Sequence, residues 1–398
     1  MSARPSPLLG LAALVSLVGT ACTTSETQPS APNGTTVEEI ASPVGTLPDG
    51  PSALQNMFDP EFPEPLVDPE QIISGGPPPD GIPPIDDPHF VPVADVDWLR
   101  DQEGVIAVEI DGDARAYPAQ ILIWHEIVND TVGGVPVSVT YCPLCNSAVT
   151  FVRSVEGVET TFGTSGRLFA SALVMYDRAT ESLWTHFDGR AVVGVLAGQR
   201  LQPIPSPLLS WGEFRAAYPD GLVLNKFRTG HSRQYGSNPY VGYDDPDGHP
   251  FLFNGIVDDR ARAMQRVVGI ELDGTARAWS LDAISDGEAS VTHDQIAGRS
   301  LVIFWRDGQA SALHQFLTDI GRVVGTVGVF SPLLEGQELT FQAREDEFVD
   351  DQTGSTWDIT GRAVAGPLTG ATLERLHHLD TFWFAWSTYQ PDTSLIEP

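Results

Sequence analysis

An internal repeat sets the frame for this chain. Val105 to Tyr117 reads VIAVEIDGDARAY, and Val267 to Trp279 reads VVGIELDGTARAW. Further matches follow in the same order with small gaps. Trp184 answers to Trp357, Gly189-Arg190-Ala191-Val192 to Gly361-Arg362-Ala363-Val364, and Trp211 to Pro219 lines up with Trp383 to Pro391. Ordered matches of this kind mark a tandem duplication. The chain is read as a first repeat over 71–224, a Tyr/Gly/Asp-rich insertion over 225–266 and a second repeat over 267–398.

Alternation in Val105 to Ile110, the Asp111-Gly112 turn and the return through Ala114 to Tyr117 predict a β-hairpin. Pro118 suits a first helical turn, and Ile121, Trp124, His125 and Val128 recur at helical spacing, so a helix is expected there. Asn129, Asp130 and Gly133-Gly134 should stop it. Strands are expected over Val135 to Tyr141 and Ala148 to Arg153, then more short strands and an amphipathic helix around Trp211 to Tyr218. The fold class is α+β, predominantly β, with two degenerate tandem repeats forming lobes related by a pseudo-twofold.

The N-terminus reads as an export signal over residues 1–21. Arg4 precedes the apolar run Leu8 to Val18, which is too short to span a bilayer as a mature helix. Gly19-Thr20-Ala21-Cys22 resembles a bacterial lipidation site, which predicts a membrane lipoprotein anchored at Cys22. Gly-Thr-Ala also suits ordinary signal cleavage, which would leave a secreted or periplasmic soluble protein. Residues 22–70, rich in Ser, Thr, Pro and Glu, read as a flexible tether. The balance of 22 basic against 53 acidic residues gives a net charge of −31, with Lys226 the single lysine. Such a surface repels phosphate backbones and anionic headgroups, so no nucleic-acid partner is expected.

The chemistry concentrates in Tyr141-Cys-Pro-Leu-Cys-Asn146, which lies between two expected strands. In a thioredoxin-like motif the second cysteine sits in a helix. A Cys-Pro-x-Cys turn between strands, with Asn146 able to turn left-handed, is closer to a metal knuckle. His125 is the first choice for a further ligand, followed by His186 and Glu126, and soft sulfur with imidazole suits zinc or copper. Outside the cytoplasm the same pair makes a disulfide in the simplest case, or else a catalytic redox couple. Aligning Gly134 with Gly298 sets Arg306 opposite Cys142, Gln309 opposite Cys145, and Ser311-Ala312 opposite Ser147-Ala148. The second repeat thus lacks the sulfur.

Plainer readings stand beside these. His125 next to Trp124 is equally a packed core histidine. Thr164-Ser165-Gly166 is a turn before it is an anion or nucleophile site. Asp177 and Arg178 after Met175 form an ion pair at a strand end by default. Ser165, Asp177 and Arg178 are retained as substrate-binding candidates.

The run DGIPPIDDPHF, the segment WHEIVND, the block VTYCPLCNSAVTF, the stretch FGTSGRLFASALVMYDRATESLW and the later YGSNPYVGYD together resemble the bacterial and archaeal family known as domain of unknown function 3179. The ending FWFAW with PDT, Phe382 to Thr393, is similar to it as well. The resemblance spans roughly 75 to 396. It implies that the proline-rich stretch 76–90 belongs to the domain rather than the tether, and it implies no particular reaction. The family often carries Gln near position 186, which ranks His186 lower as a ligand. His125, Glu126, Asn129, Cys142 and Cys145 fall inside matching motifs.

Two functions are therefore expected in competition. One is an exported protein with a Cys/His site built by His125, Glu126, Cys142 and Cys145, either holding a soft metal or running thiol redox chemistry. In the metal version Glu126 orients a ligand or acts as a base; in the redox version one cysteine attacks and the other resolves. The other is a non-enzymatic binding module with a structural disulfide, in which Tyr235, Tyr240 and Tyr243 contact a glycan or protein. A hydrolase using Ser165 with His125 or His231 lacks a recognised nucleophile motif. The protein or small-molecule partner is left open.

Overall fold

The computed structural model describes residues 46–398. The export signal, the lipidation site Cys22 and residues 22–45 of the expected tether lie outside the described residues. Strands account for 39% and helices for 9%, so the architecture is predominantly β, spread over several sheets. Among the described residues no helix is long and apolar enough to cross a membrane.

The hairpin of the first half pairs Gly104–Ile110 with Asp113–Pro118. Leu208–Ser210 adds antiparallel on one edge and Leu222–Leu224 adds parallel on the other. The second half builds the same order: Arg266–Leu272 pairs Thr275–Ser280, with Leu379–Phe382 antiparallel and Ser394–Ile396 parallel. A short helix links the flanking strands in each case, Trp211–Ala217 and Trp383–Tyr389. The first is closed by a capping box between Ser210 and Glu213, which satisfies backbone donors at its start. Both end alike, at Tyr218 with φ −130° and ψ 66° and at Gln390 with φ −128° and ψ 66°.

Agreement extends to buried side chains. In the first half Asp177 accepts from the Trp184 indole N–H at 2.9 Å and from the Thr180 amide at 2.6 Å. In the second, Asp350 accepts from Trp357 at 3.0 Å and from the Thr353 amide at 2.6 Å. Each carboxylate staples the turn between two strands, a place where a buried acceptor must be satisfied. Contacts between the halves are reciprocal: Leu379–Phe382 lies against Ser147–Val152, and Leu208–Ser210 lies against Thr326–Phe330.

Three expectations are corrected. The helix after Pro118 is only Ala119–Leu122, and the strand Ile127–Val132 begins where helix was expected. Ile127 and Val128 are both fully buried; a strand covered on both faces loses its alternation, and its residues then mimic helical spacing. The second correction concerns 46–70, read as tether. Ala53 and Met57 are buried against Val174, Leu183 and Val193, and the Leu66 amide donates to the Val192 carbonyl. The third is the alignment after Arg306. Cys142 pairs with Ser147 and Arg306 pairs with Thr326, so Thr326 rather than Ser311 holds the position of Ser147. The stretch 76–90 does belong to the domain: the Asp80 amide donates to Thr164, and Ile85 exchanges backbone hydrogen bonds with Ile127 and Asn129.

Candidate functional site

Strand Val135–Cys142 ends at the first cysteine, and strand Ser147–Val152 begins just after the second. Asn146 closes the turn at φ 49°, a conformation that short polar side chains tolerate. Both cysteines are free thiols with 0% exposure. The turn is fixed from the second half, because the Cys145 carbonyl accepts from Thr381 Oγ1 at 2.7 Å and from the Phe382 amide at 3.2 Å.

A line of hydrogen bonds leads away from the sulfur. Cys145 Sγ lies 3.0 Å from Ser147 Oγ, Ser147 Oγ lies 2.8 Å from His186 Nε2, and His186 Nδ1 lies 2.8 Å from Thr140 Oγ1. Thr140 Oγ1 ends the line 2.6 Å from the Val149 carbonyl. A carbonyl only accepts, so Thr140 donates to it and must accept from the Nδ1–H of His186. Burial pushes the imidazole below its ordinary range, which leaves it neutral with Nε2 as an acceptor. Ser147 then donates to Nε2 and accepts from the Cys145 thiol. The protons run one way along the line, from the Cys145 thiol through Ser147 to His186 and on through Thr140 to the Val149 carbonyl.

Cys142 faces a different set. Its thiol is pushed up by burial and by Cys145, while His186 and the Leu173 amide, which donates to the sulfur, act against that. Glu126 stands nearby, 6% exposed, with φ 59°. Burial holds its carboxyl well above the usual range, with Cys142 adding to the effect. No hydrogen bond to this carboxyl is found among the described residues. The backbone is held in place by the Glu126 amide on Leu122 at 2.7 Å and the Tyr141 amide on Glu126 at 2.8 Å. A left-handed glutamate costs about 1 kcal/mol or more, and such strain collects at working sites. Tyr240 and Tyr243 from the insertion and Tyr389 from the last helix close around the thiols, and burial raises all three phenols. The Tyr389 hydroxyl is buried without a partner among the described residues.

His125 does not join this cluster. Its Nδ1 bonds the Pro83 carbonyl at 2.6 Å and its Nε2 bonds Tyr235 Oη at 2.7 Å. Burial, with His231 and Arg233 adding, pushes it down to about 4. Neighbouring Trp124 donates to the Ser237 carbonyl at 3.1 Å. Trp124, His125 and Glu126 thus meet the insertion at consecutive points, and the motifs WHEIVND and YGSNPYVGYD interlock over the dithiol. Residues 225–265 of the insertion contain no helix or strand.

The remaining candidates sit elsewhere. Ser165 Oγ donates to the Val174 carbonyl and accepts from the Arg167 amide, so no Ser–His pair forms with His125 or His231. Asp177 is the turn staple described above. Arg178 bridges Asp86 at 2.8 Å and Asp80 at 3.2 Å, beside a cavity of about 390 Å³ that also meets His231 and Arg228. Among the described residues no three His, Cys, Asp or Glu are placed to hold a metal ion. The donor set does not fit a resident metal: Ser147 stands between Cys145 and His186, and His125 is committed elsewhere. Sequence reasoning missed Ser147, Thr140 and Tyr389. The first two were accessible through register, since Thr140 and Cys142 share one strand face and Ser147 pairs with Cys142.

The family model described as "Protein of unknown function (DUF3179)" matches residues 79–393. No curated protein and no solved structure matches the chain.

Proposed function

The chain belongs to the DUF3179 family, and from the geometry of its buried dithiol we propose that it carries out thiol redox chemistry. The observation that carries this reading is the directed line Cys145–Ser147–His186. Cys145 is the thiol with a route to a base. As its proton passes through Ser147 to His186 Nε2, the sulfur attacks one sulfur of a partner disulfide and expels the other as a thiolate. Cys142 then attacks Cys145 in the mixed disulfide. A Cys142–Cys145 disulfide forms, and the partner leaves as two thiols with two electrons and two protons. Glu126, held neutral by burial, supplies a proton to a departing thiolate. Because both sulfurs are fully enclosed, reaction follows an opening that displaces Tyr240 and Tyr243.

The metal version is placed second because the donors do not converge. The binding-module reading draws on the exposed apolar residues of the insertion, with Ile256 95% and Phe251 50% exposed. We further propose export, with anchoring through Cys22; mass spectrometry of the N-terminal peptide tests the acylation.

The test uses the full chain. Alkylation of Cys145 is followed against pH in the parent, His186→Ala and Ser147→Ala, after reduction and after treatment with a small disulfide. The parent should cycle between two thiols and one bond, and removal of the base should slow alkylation by about 100-fold. A bond that resists mild reductant in the parent would leave the structural-disulfide module ahead. Stoichiometric metal that is lost in Cys142→Ser would restore the metal version.

A further inference from the structure

The halves differ at one place where they meet, and the difference leaves room for a ligand. In one setting, Arg375 reaches across to the first half. Its Nη1 donates to Glu109 at 2.9 Å, its Nη2 to Tyr218 Oη at 2.7 Å, and its Nε to the Thr360 carbonyl at 3.2 Å. The side chain of Arg375 is only 10% exposed there. The guanidinium fills the space between the halves and answers a carboxylate.

Backbone pairing identifies the residues that hold the corresponding positions. Arg375 pairs with Phe330, and Pro203 pairs with Phe151. Phe151 and Phe330 hold the same register position in their strands, as Ser147 and Thr326 do. Leu201 and Leu373, two residues earlier, each donate to the carbonyl of a glycine, Gly189 and Gly361, at 2.9 Å. A Cβ on either of those glycines would strike the Phe ring concerned. Pro203 therefore stands where Arg375 stands. By the same logic Glu271 matches Glu109, Gln390 matches Tyr218, and Trp386 matches Phe214.

Pro203 has no cation to offer. What remains is a cavity of about 460 Å³ between the halves, lined by Phe187, Trp386, Glu271, Arg200, Gln390 and His377 among others. That size is in the range of small-molecule sites. Glu271 keeps its carboxylate there, with Gln390 donating at 3.1 Å. Arg200 approaches only to 3.8 Å with 48% of its side chain exposed, a weak pairing in water. A Cβ at Gly269 would meet the Trp386 ring at 2.3 Å, so glycine lets the indole lie flat along the wall. The matching pair in the other setting is Ala107 and the smaller Phe214. His377 Nδ1 is buried there without a partner among the described residues.

We propose that this cavity binds a small organic cation, a guanidinium, amidinium or amine with a flat apolar body. Its charged head replaces the missing arginine on Glu271, and its body lies against Trp386 and Phe187. Aromatic walls favour such a cation, as does the net charge of −31. The site is separate from the dithiol and does not depend on its chemistry.

Benzamidine and neutral, nearly isosteric benzamide are the probes, titrated into the full chain by calorimetry with thermal melting in parallel. Benzamidine should bind one per chain and raise the melting temperature, and benzamide should do neither. Glu271→Gln should weaken benzamidine by about tenfold or more, as expected for loss of a charge-assisted hydrogen bond. Pro203→Arg supplies an internal guanidinium and should abolish benzamidine binding while raising the melting temperature. Equal binding of the two probes, or unchanged benzamidine affinity in Glu271→Gln, would overturn the proposal, and neither result depends on how Pro203→Arg folds.

Discussion

At the end of Val135–Cys142 the first half makes a tight turn and places two thiols and an imidazole. At the end of Arg299–Arg306 the second half instead runs through 307–325 before Thr326–Phe330 begins. There Thr326 Oγ1 donates toward the Glu213 carboxylate and lies 3.2 Å from Gln309 Oε1, and Gln309 is 1% exposed. The same strand pair thus ends in a carboxylate–hydroxyl–amide knot in one half and in sulfur in the other. The scaffold needs a satisfied polar corner, and it does not need cysteine to make one.

The sharpest way to test that contrast is through the arginine that only one setting possesses. Arg375→Ala leaves Glu109, whose side chain is 19% exposed, without its cation and should cost about 4 kcal/mol, whereas Arg200→Ala should stay within about 0.5 kcal/mol. Urea midpoints measure both, and equal losses would break the comparison. A slightly smaller effect belongs to the first half alone. His125 is held at about 4 in the fold against 6.5 for the free side chain. The unfolded chain therefore binds the extra proton first as pH falls. Stability from this group is complete above 6.5 and is lost by about 3 kcal/mol as pH drops through 4. His125→Gln should flatten that part of the pH profile; an unchanged slope would remove His125 as the pin of the insertion.

The carboxylate staples predict parity rather than difference. Asp177→Ala and Asp350→Ala each strand a buried indole N–H and should each cost about 2 kcal/mol. Thermal melts that separate them widely would show the halves to be mechanically unequal. The smallest expected effect is at the turn. Both Asn146→Ala and Asn146→Gly lose the acceptor of the Tyr141 hydroxyl at 3.1 Å, and alanine should cost about 1 kcal/mol more than glycine because it alone strains the left-handed backbone.

The hairpins could be read from the chain because alternation and an Asp-Gly turn act locally. The Cys-Pro-Leu-Cys turn and the left-handed Asn146 were open to the same reading. The helix beyond Pro118 was over-extended because Ile127 and Val128 are buried on both strand faces. The resemblance ranks His186 low, because the family often carries Gln near that position, and its tie to Ser147 bridges parts of the sequence too distant to be read locally. Composition marked 46–70 as tether, yet a few apolar residues such as Ala53 and Met57 were enough to seat it. Pro203 looks unremarkable in sequence, and its meaning emerges only once Arg375 is seen crossing to Glu109.

The hydroxyl of Thr381 on the Cys145 carbonyl joins residues 236 positions apart. A ribosome makes the cysteines long before it makes that threonine. Until Leu379–Phe382 and the helix after it are made, the Cys-Pro-Leu-Cys turn has neither its lock nor Tyr389. A chain that stops before Thr381 would lack both of these covers over its two thiols. The enclosure of this sulfur thus depends on residues made near the end of the chain.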